Sequence, residues 1–163
     1  MHKYFSIKIP HRIRQVKLAD GFALQRLVWP DYSLEAVHDR LGRVFEMARQ
    51  DRVISLVIAT QPIDESFAYG QITRWPRVAE ISDLTVAIDK RGQGFGSALI
   101  EALILRSLHW RLSRIEIGVA VSNTRALVLY HRLGFTDTRE VLLNLGNGLE
   151  PVLYLTREQR DTV

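Results

Sequence analysis

The chain has no cysteine and only two methionines in 163 residues. That removes a disulfide framework, a Cys-rich zinc site and a thiol nucleophile, and it suits a reducing compartment. No apolar run approaches the roughly 18 residues of a membrane span, and Met1 to Lys8 lacks the apolar centre of a secretion signal. A soluble, cytoplasmic protein without a membrane partner is the expectation. Lysine is scarce and does not recur after Lys90, and no Gly-Lys-Ser/Thr occurs, so a Walker A phosphate loop is excluded. Basic residues are scattered apart from His11-Arg12-Ile13-Arg14, which leaves no stripe for nucleic acid. What is present is arginine, with a formal net charge of +4, and that favours a small polyanionic partner. The length fits one domain over residues 1–163, with 1–12 and 157–163 as loose ends.

Hydrophobic periodicity divides the chain into alternating strands and helices. Ile13 to Lys17 reads as a short strand, and Asp20 is placed to cap a helix running to about Val28. Ser33 opens a second helix ending near Gln50, with Leu34, Val37, Leu41, Val44, Phe45 and Ala48 at helical spacing. Val53 to Thr60, Phe67 to Thr73 and Glu80 to Ile88 then read as an antiparallel meander. Ser97 to about Leu112 has the wide apolar face of a buried helix, and Arg114 to Val121 alternates as a strand. A strand, a crossover helix and a strand make Glu80 to Ile88 and Arg114 to Val121 parallel neighbours. Asn123 caps a last helix to Leu133, and Gly134 is its left-handed stop. Phe135 to Asn144 and Pro151 to Leu155 close the chain as strands, with Pro151 expected to put the start of its strand at an edge. The result is an α/β chain with a mixed sheet and helices on both faces.

Between the third strand and the third helix stands Arg91-Gly92-Gln93-Gly94-Phe95-Gly96. Glycines let backbone approach a ligand and turn successive N–H groups into one concavity, and the helix that follows adds its positive N-terminus. A tight turn without a ligand is the plain alternative. A dinucleotide fingerprint fails, because Leu99 or Ser97 stands where a third glycine or alanine belongs, and Glu116 lies inside a strand rather than at its end. A kinase-type loop fails for want of a following lysine.

Arg91-x-x-Gly94-x-Gly96 resembles the pyrophosphate-binding signature of the Gcn5-related N-acetyltransferases, the GNAT family. Leu84-Thr85-Val86-Ala87-Ile88-Asp89 precedes it at the family's strand position, and the stretch from Asn123 through Tyr130 to Gly134-Phe135 is similar to the second signature. The resemblance extends from about Ile13 to Tyr154. It implies the GNAT fold, a mostly antiparallel mixed sheet with a central pair of splayed parallel strands, and acetyl-CoA as co-substrate without a metal. On that basis Leu84, Thr85 and Val86 pair with the pantetheine amides, and the backbone of Arg91, Gly92, Gln93, Gly94, Phe95, Gly96 and Ser97 holds the pyrophosphate. The side chains of Gln93, Phe95 and Ser97 then matter less than their N–H groups. Asn123 contacts pantetheine as well as capping its helix. Tyr130, on the same helical face as Asn123 and Ala126, matches the tyrosine that serves the departing thiolate, with a packing role as its alternative.

Transfer to an amine also needs a base, because an ammonium has no free lone pair. Glu80, six residues before Val86, stands where the histone-acetyltransferase branch of the family has a general-base glutamate, and a strand-end carboxylate that is solvated or paired with Arg74 or Arg77 is the competing reading. Asp83 ranks second, since it points away from Glu80 unless a β-bulge intervenes. His109 and His131 fit solvated faces. Without cysteine, transfer is direct. The acceptor is a primary amine of a small molecule or a protein. Trp29, Tyr32, Phe67, Tyr69 and Trp75, with Asp31, Glu35, Asp39 and Glu65, are candidates to shape its pocket. A catalytically weak acyl-CoA-binding module is the alternative function, and a homodimer stays open.

Overall fold

The computed structural model describes residues 9–159. Seven strands form one sheet: β1 (His11–Gln15), β2 (Val53–Thr60), β3 (Ser66–Arg74), β4 (Ala79–Val86), β5 (Arg114–Ala120), β6 (Thr136–Asn144) and β7 (Leu149–Glu158), in the order β1-β2-β3-β4-β5-β7-β6. Only β4 and β5 pair in parallel. This is the mixed sheet expected from the alternation of the sequence. The helices are α1 (Gly21–Leu27), α2 (Leu34–Arg49), α3 (Phe95–Ser107) and α4 (Thr124–Arg132).

Helix α3 is apolar nearly all round, as a crossover helix buried against a sheet must be. Its Leu99, Ile100 and Leu103 are fully buried with Leu56, Ile72 and Ile81 of the sheet, each contributing about 1.5–3 kcal/mol relative to exposure. On the opposite face, α1 and α2 cover Val57 and Tyr69 with Leu24, Val37 and Leu41. Ser33 caps α2 by accepting the Ala36 N–H at 3.1 Å.

Three expectations change. Asp20 holds the N-cap position of α1, but its carboxylate makes no cap hydrogen bond there; it accepts from Arg14, from the Lys17 N–H at 2.7 Å and from the Ser66 hydroxyl at 2.7 Å, closing a 3-10 turn ahead of the helix. Pro151 is not at an edge, because β7 begins at Leu149 and lies between β5 and β6; the Pro151 carbonyl accepts the Val121 N–H. Arg157 and Glu158 are no loose tail but pair with Ile115 and Arg114 of β5, while His11 and Arg12 belong to β1. Of the expected loose ends, residues 1–8 and 160–163 lie outside the described residues. No helix among those described is long and apolar enough to cross a membrane.

Candidate active site

Two features of β4 create the site. The first is its short contact with β5: the parallel register runs only through Ala79↔Ile115, Glu80↔Glu116 and Ile81↔Ile117. Beyond Ile81 the strands part, and the β5-facing amides and carbonyls from Ser82 to Val86 have no strand opposite them. Such groups need partners. The second feature is a bulge. Tyr69 pairs with Thr85 and Gln71 with Ser82, so Asp83 and Leu84 together face Gly70, and Asp83 adopts a left-handed φ of 55°. A side chain on Gly70 would stand 3.0 to 3.2 Å from Leu84, Leu99 and Leu103, which is why glycine is needed there.

The parted strands open on a cavity of about 760 Å³. Leu84, Thr85 and Val86 form one wall, the loop from Lys90 to Ser97 another, and α4 the third through Asn123, Arg125, Ala126, Val128, Leu129, Tyr130 and Arg132. Gly92 and Gly94 have φ of 74° and 87°, conformations open to glycine at little cost. Gly94 is the N-cap of α3, and a Cβ built on it meets nothing within 4 Å. The N–H groups of Phe95, Gly96 and Ser97 are in the first turn, where a helix offers donors without internal partners. Four cations, Lys90, Arg91, Arg125 and Arg132, line the cavity, and no carboxylate does. The arrangement fits a long ligand with amides at one end and phosphates at the other.

Of the expected residues, all but Gln93 and Glu80 line this cavity. Asn123 caps α4 by accepting the Ala126 N–H at 3.2 Å. Tyr130 is 6% exposed, lines the cavity and packs near Phe135; its hydroxyl has no hydrogen-bond partner among the described residues. Burial pushes that phenol up to about 12, so it holds its proton at neutral pH. Arg91 is tied back, its Nε donating to the Val86 carbonyl at 3.0 Å. Gln93 is not part of the lining, and its amide turns to the Asp89 carbonyl. Phe95 departs from expectation: its ring is buried edge-on against Phe67 and His11 at 4.9 and 5.0 Å, so the side chain is part of the core.

Glu80 is on the other sheet face, just below the point where β4 and β5 separate. Neither Arg74 nor Arg77 pairs with it; the Trp75 indole N–H donates to its Oε2 at 2.9 Å. The bulge turns Asp83 toward α2, where Arg40 forms an ion pair with it at 2.5 Å. Of the aromatic candidates, Phe67, Tyr69 and Trp29 are buried in the core, and only Tyr32 and Trp75 reach solvent. His109 and His131 are half exposed and pair with Asp51 and Asp137.

Several lining residues were not anticipated. Arg125, Val128, Leu129 and Arg132 follow the i, i+3, i+4, i+7 pattern of one helical face, a spacing visible in the sequence. Glu116, Arg139 and Tyr154 gather beside Glu80 only through strand order: Arg139 makes a two-bonded ion pair with Glu116 while its guanidinium lies 4.1 Å from the centre of the Tyr154 ring. No grouping of three or more His, Cys, Asp or Glu suited to a metal ion occurs among the described residues.

Comparison with known proteins bears on the family and the fold. An uncharacterized N-acetyltransferase of Methanocaldococcus jannaschii is 39% identical over 64 residues, a stretch covering 39% of this chain and 28% of that relative. The chain therefore spans under a third of the curated relative it matches. The Salmonella typhimurium acetyltransferase that modifies the N-terminal serine of 50S ribosomal subunit protein L7/L12 superposes with a TM-score of 0.81 at 17% identity, covering 93% of this chain and 96% of that one. A GNAT superfamily phosphinothricin acetyltransferase from Sinorhizobium meliloti, solved with acetyl-CoA, gives 0.75 at 14% identity over 92% and 89%. These structural likenesses carry the fold. The acetyltransferase (GNAT) family model matches residues 21–135, which take in the bulged strand, the glycine loop and α4, and the chain belongs to that family.

Proposed function

We propose that the chain is an acetyl-CoA-dependent N-acetyltransferase acting directly on a primary amine of a small molecule or a protein. The observation that carries this reading is the junction of parted strands, glycine loop and Tyr130 around one cavity. Acetyl-CoA supplies an acyl thioester, whose acetyl carbon bonds to the amine nitrogen as its bond to sulfur breaks. Leu84, Thr85 and Val86 pair with the pantetheine amides as an added strand would. The first-turn N–H groups of α3, with Arg91, hold the pyrophosphate. Asn123 contacts the pantetheine from the start of α4. A β4 N–H between Leu84 and Val86 steadies the negative charge that develops on the carbonyl oxygen, with no reorganisation.

Protons move at two places. Glu80 accepts the proton the amine sheds, from the face opposite the cavity and next to the strand parting. Tyr130 gives its proton to the departing sulfur, and burial keeps that proton in place across the neutral range. Glu80, which forms no ion pair among the described residues, lends this face a negative charge that suits a cationic acceptor, whereas Glu116 is neutralised by Arg139.

The test has two steps. Acetyl-CoA at a hundredfold excess over its dissociation constant should stabilise the fold by about 2.7 kcal/mol, read as a rise in Tm. A screen of amines and N-terminal peptides should then find one that releases CoA. No shift with any acyl-CoA would reject the reading, and binding without release would favour an acyl-CoA-binding module.

A further inference from the structure

We infer that Arg40 is a positioning residue: from α2 it clamps the bulge of β4 that sets which backbone groups of Leu84, Thr85 and Val86 face the gap between β4 and β5. The inference rests on the acetyl-CoA reading and names a residue outside the cavity, on the opposite face of the sheet.

Ile81, Leu84 and Val86 all pack with the core cluster that α3 buries. Ile81 and Leu84 are three residues apart, an odd step that a regular strand would place on opposite faces. The extra residue at the bulge turns the strand over, so from Leu84 onward the alternation of its N–H and C=O groups is shifted by one. Without it, Leu84 and Val86 would turn to the face that α1 and α2 cover, and a different set of amides would look into the gap. The bulge also has a local cost. Asp83 has a φ of 55°, a left-handed conformation that a side chain disfavours.

Arg40 is placed to hold that conformation. Its guanidinium pairs with the Asp83 carboxylate at 2.5 Å and lies 4.9 Å from the centre of the Trp29 ring. Trp29 is buried and packs edge-on against Tyr69, the ring centres 4.8 Å apart. Tyr69 pairs with Thr85, just beyond the bulge, and its hydroxyl donates to Gln71, which pairs with Ser82 just before it. The register points that bracket the bulge are thus joined to one arginine, through Trp29 and Tyr69 on one side and through Asp83 on the other. The Arg40 and Asp83 side chains are 28% and 32% exposed, so water and salt screen the pair less than an open surface bridge. Arginine suits the role, because its planar guanidinium stacks on an indole and pairs with a carboxylate at once.

Glycine at position 83 separates a clamp from an ordinary stabilising ion pair, because it takes a φ of 55° without help. Isothermal titration of the full chain with acetyl-CoA should find Arg40→Gln and Asp83→Ala weaker by about tenfold, within the range of coupling between contacting residues. Asp83→Gly should bind as wild type does, and adding Arg40→Gln to it should weaken binding no further. In the unliganded protein, two-dimensional amide spectra should show Leu84, Thr85 and Val86 displaced in Arg40→Gln and returned in the double variant. Wild-type affinity in Arg40→Gln would overturn the proposal, as would a double variant as weak as Arg40→Gln alone. If Arg40→Gln does not fold, equal affinity of Asp83→Ala and Asp83→Gly overturns it instead. If wild type binds no acyl-CoA while the amide spectra show the rescue, the acetyl-CoA reading falls and Arg40 keeps its place; without the rescue both fall.

Discussion

Glu80 and Glu116 stand side by side in Cα register across the parallel strands β4 and β5, and only Glu116 has a cation. Arg139 reaches from the edge strand to neutralise Glu116 while stacking over Tyr154. Glu80 instead has the neutral Trp75 indole N–H. Two like charges on adjacent strands repel, and the division of partners leaves one carboxylate in an ion pair and the other without a cation among the described residues.

Replacing Glu80 with Gln keeps an oxygen for Trp75, so the fold should persist. With an acceptor in hand, kcat/KM near neutral pH should fall by about 10²-fold or more and recover as pH rises toward the region where the amine is free without a base. A loss of equal size at every pH would assign Glu80 to positioning. Wild-type behaviour would move the base to a water chain or to Asp83.

Tyr130→Phe retains the ring packed near Phe135 and removes only the hydroxyl. Acetyl-CoA affinity should be little changed while turnover drops about 10²–10⁴-fold. With the phenol pushed up to about 12, wild-type turnover should show no limb from its ionisation below pH 10. Full activity in the variant would reduce Tyr130 to a core residue.

Gly94→Val introduces a branched side chain at φ of 87° into space that is open in the fold. The left-handed conformation costs about 1–2 kcal/mol, and the side chain projects where phosphate is expected. The thermal shift with acetyl-CoA should disappear, whereas the unliganded protein still unfolds cooperatively. A retained shift would separate the loop from phosphate binding.

Asp20→Asn tests stability far from the chemistry. Burial opposes ionisation of Asp20, but Arg14, the Lys17 N–H and the Ser66 hydroxyl outweigh it and hold the carboxyl below its ordinary value. The stabilisation from a lowered carboxyl pKa is complete above the unfolded value near 4 and is lost as pH falls through the folded one. The variant should therefore lose about 3 kcal/mol at neutral pH, since it leaves Arg14 without its buried partner, and the gap from wild type should narrow below pH 4. Denaturant midpoints at pH 7 and pH 3 measure both.

Legibility in the sequence followed the range of the interactions. The boundaries of β2 match the apolar run Val53 to Thr60, and the Asn123 and Ser33 caps are local chemistry. The glycine loop is legible because it lies within the unit of β4, loop and α3, and the placing of Tyr130 on the face of Asn123 and Ala126 because that spacing is fixed within α4. The bonds of the Asp20 carboxylate are not legible in the sequence, because its partners Arg14 and Ser66 belong to strands brought together only by folding. Pro151 was misplaced for a similar reason, as strand order is not a local property. The turn of Asp83 toward Arg40 depends on a register shift opposite Gly70, which no period-2 pattern reveals.

The three-residue seam between β4 and β5 is the narrowest join of the sheet, with β1 to β4 on one side and β5, β7 and β6 on the other. If acetyl-CoA lies above Ile81 and Ile117 as proposed, it lengthens that join, and occupancy should stiffen the sheet. Amide exchange should slow on occupancy along Ser82 to Val86, and the slowing should reach the far side of the join through β5.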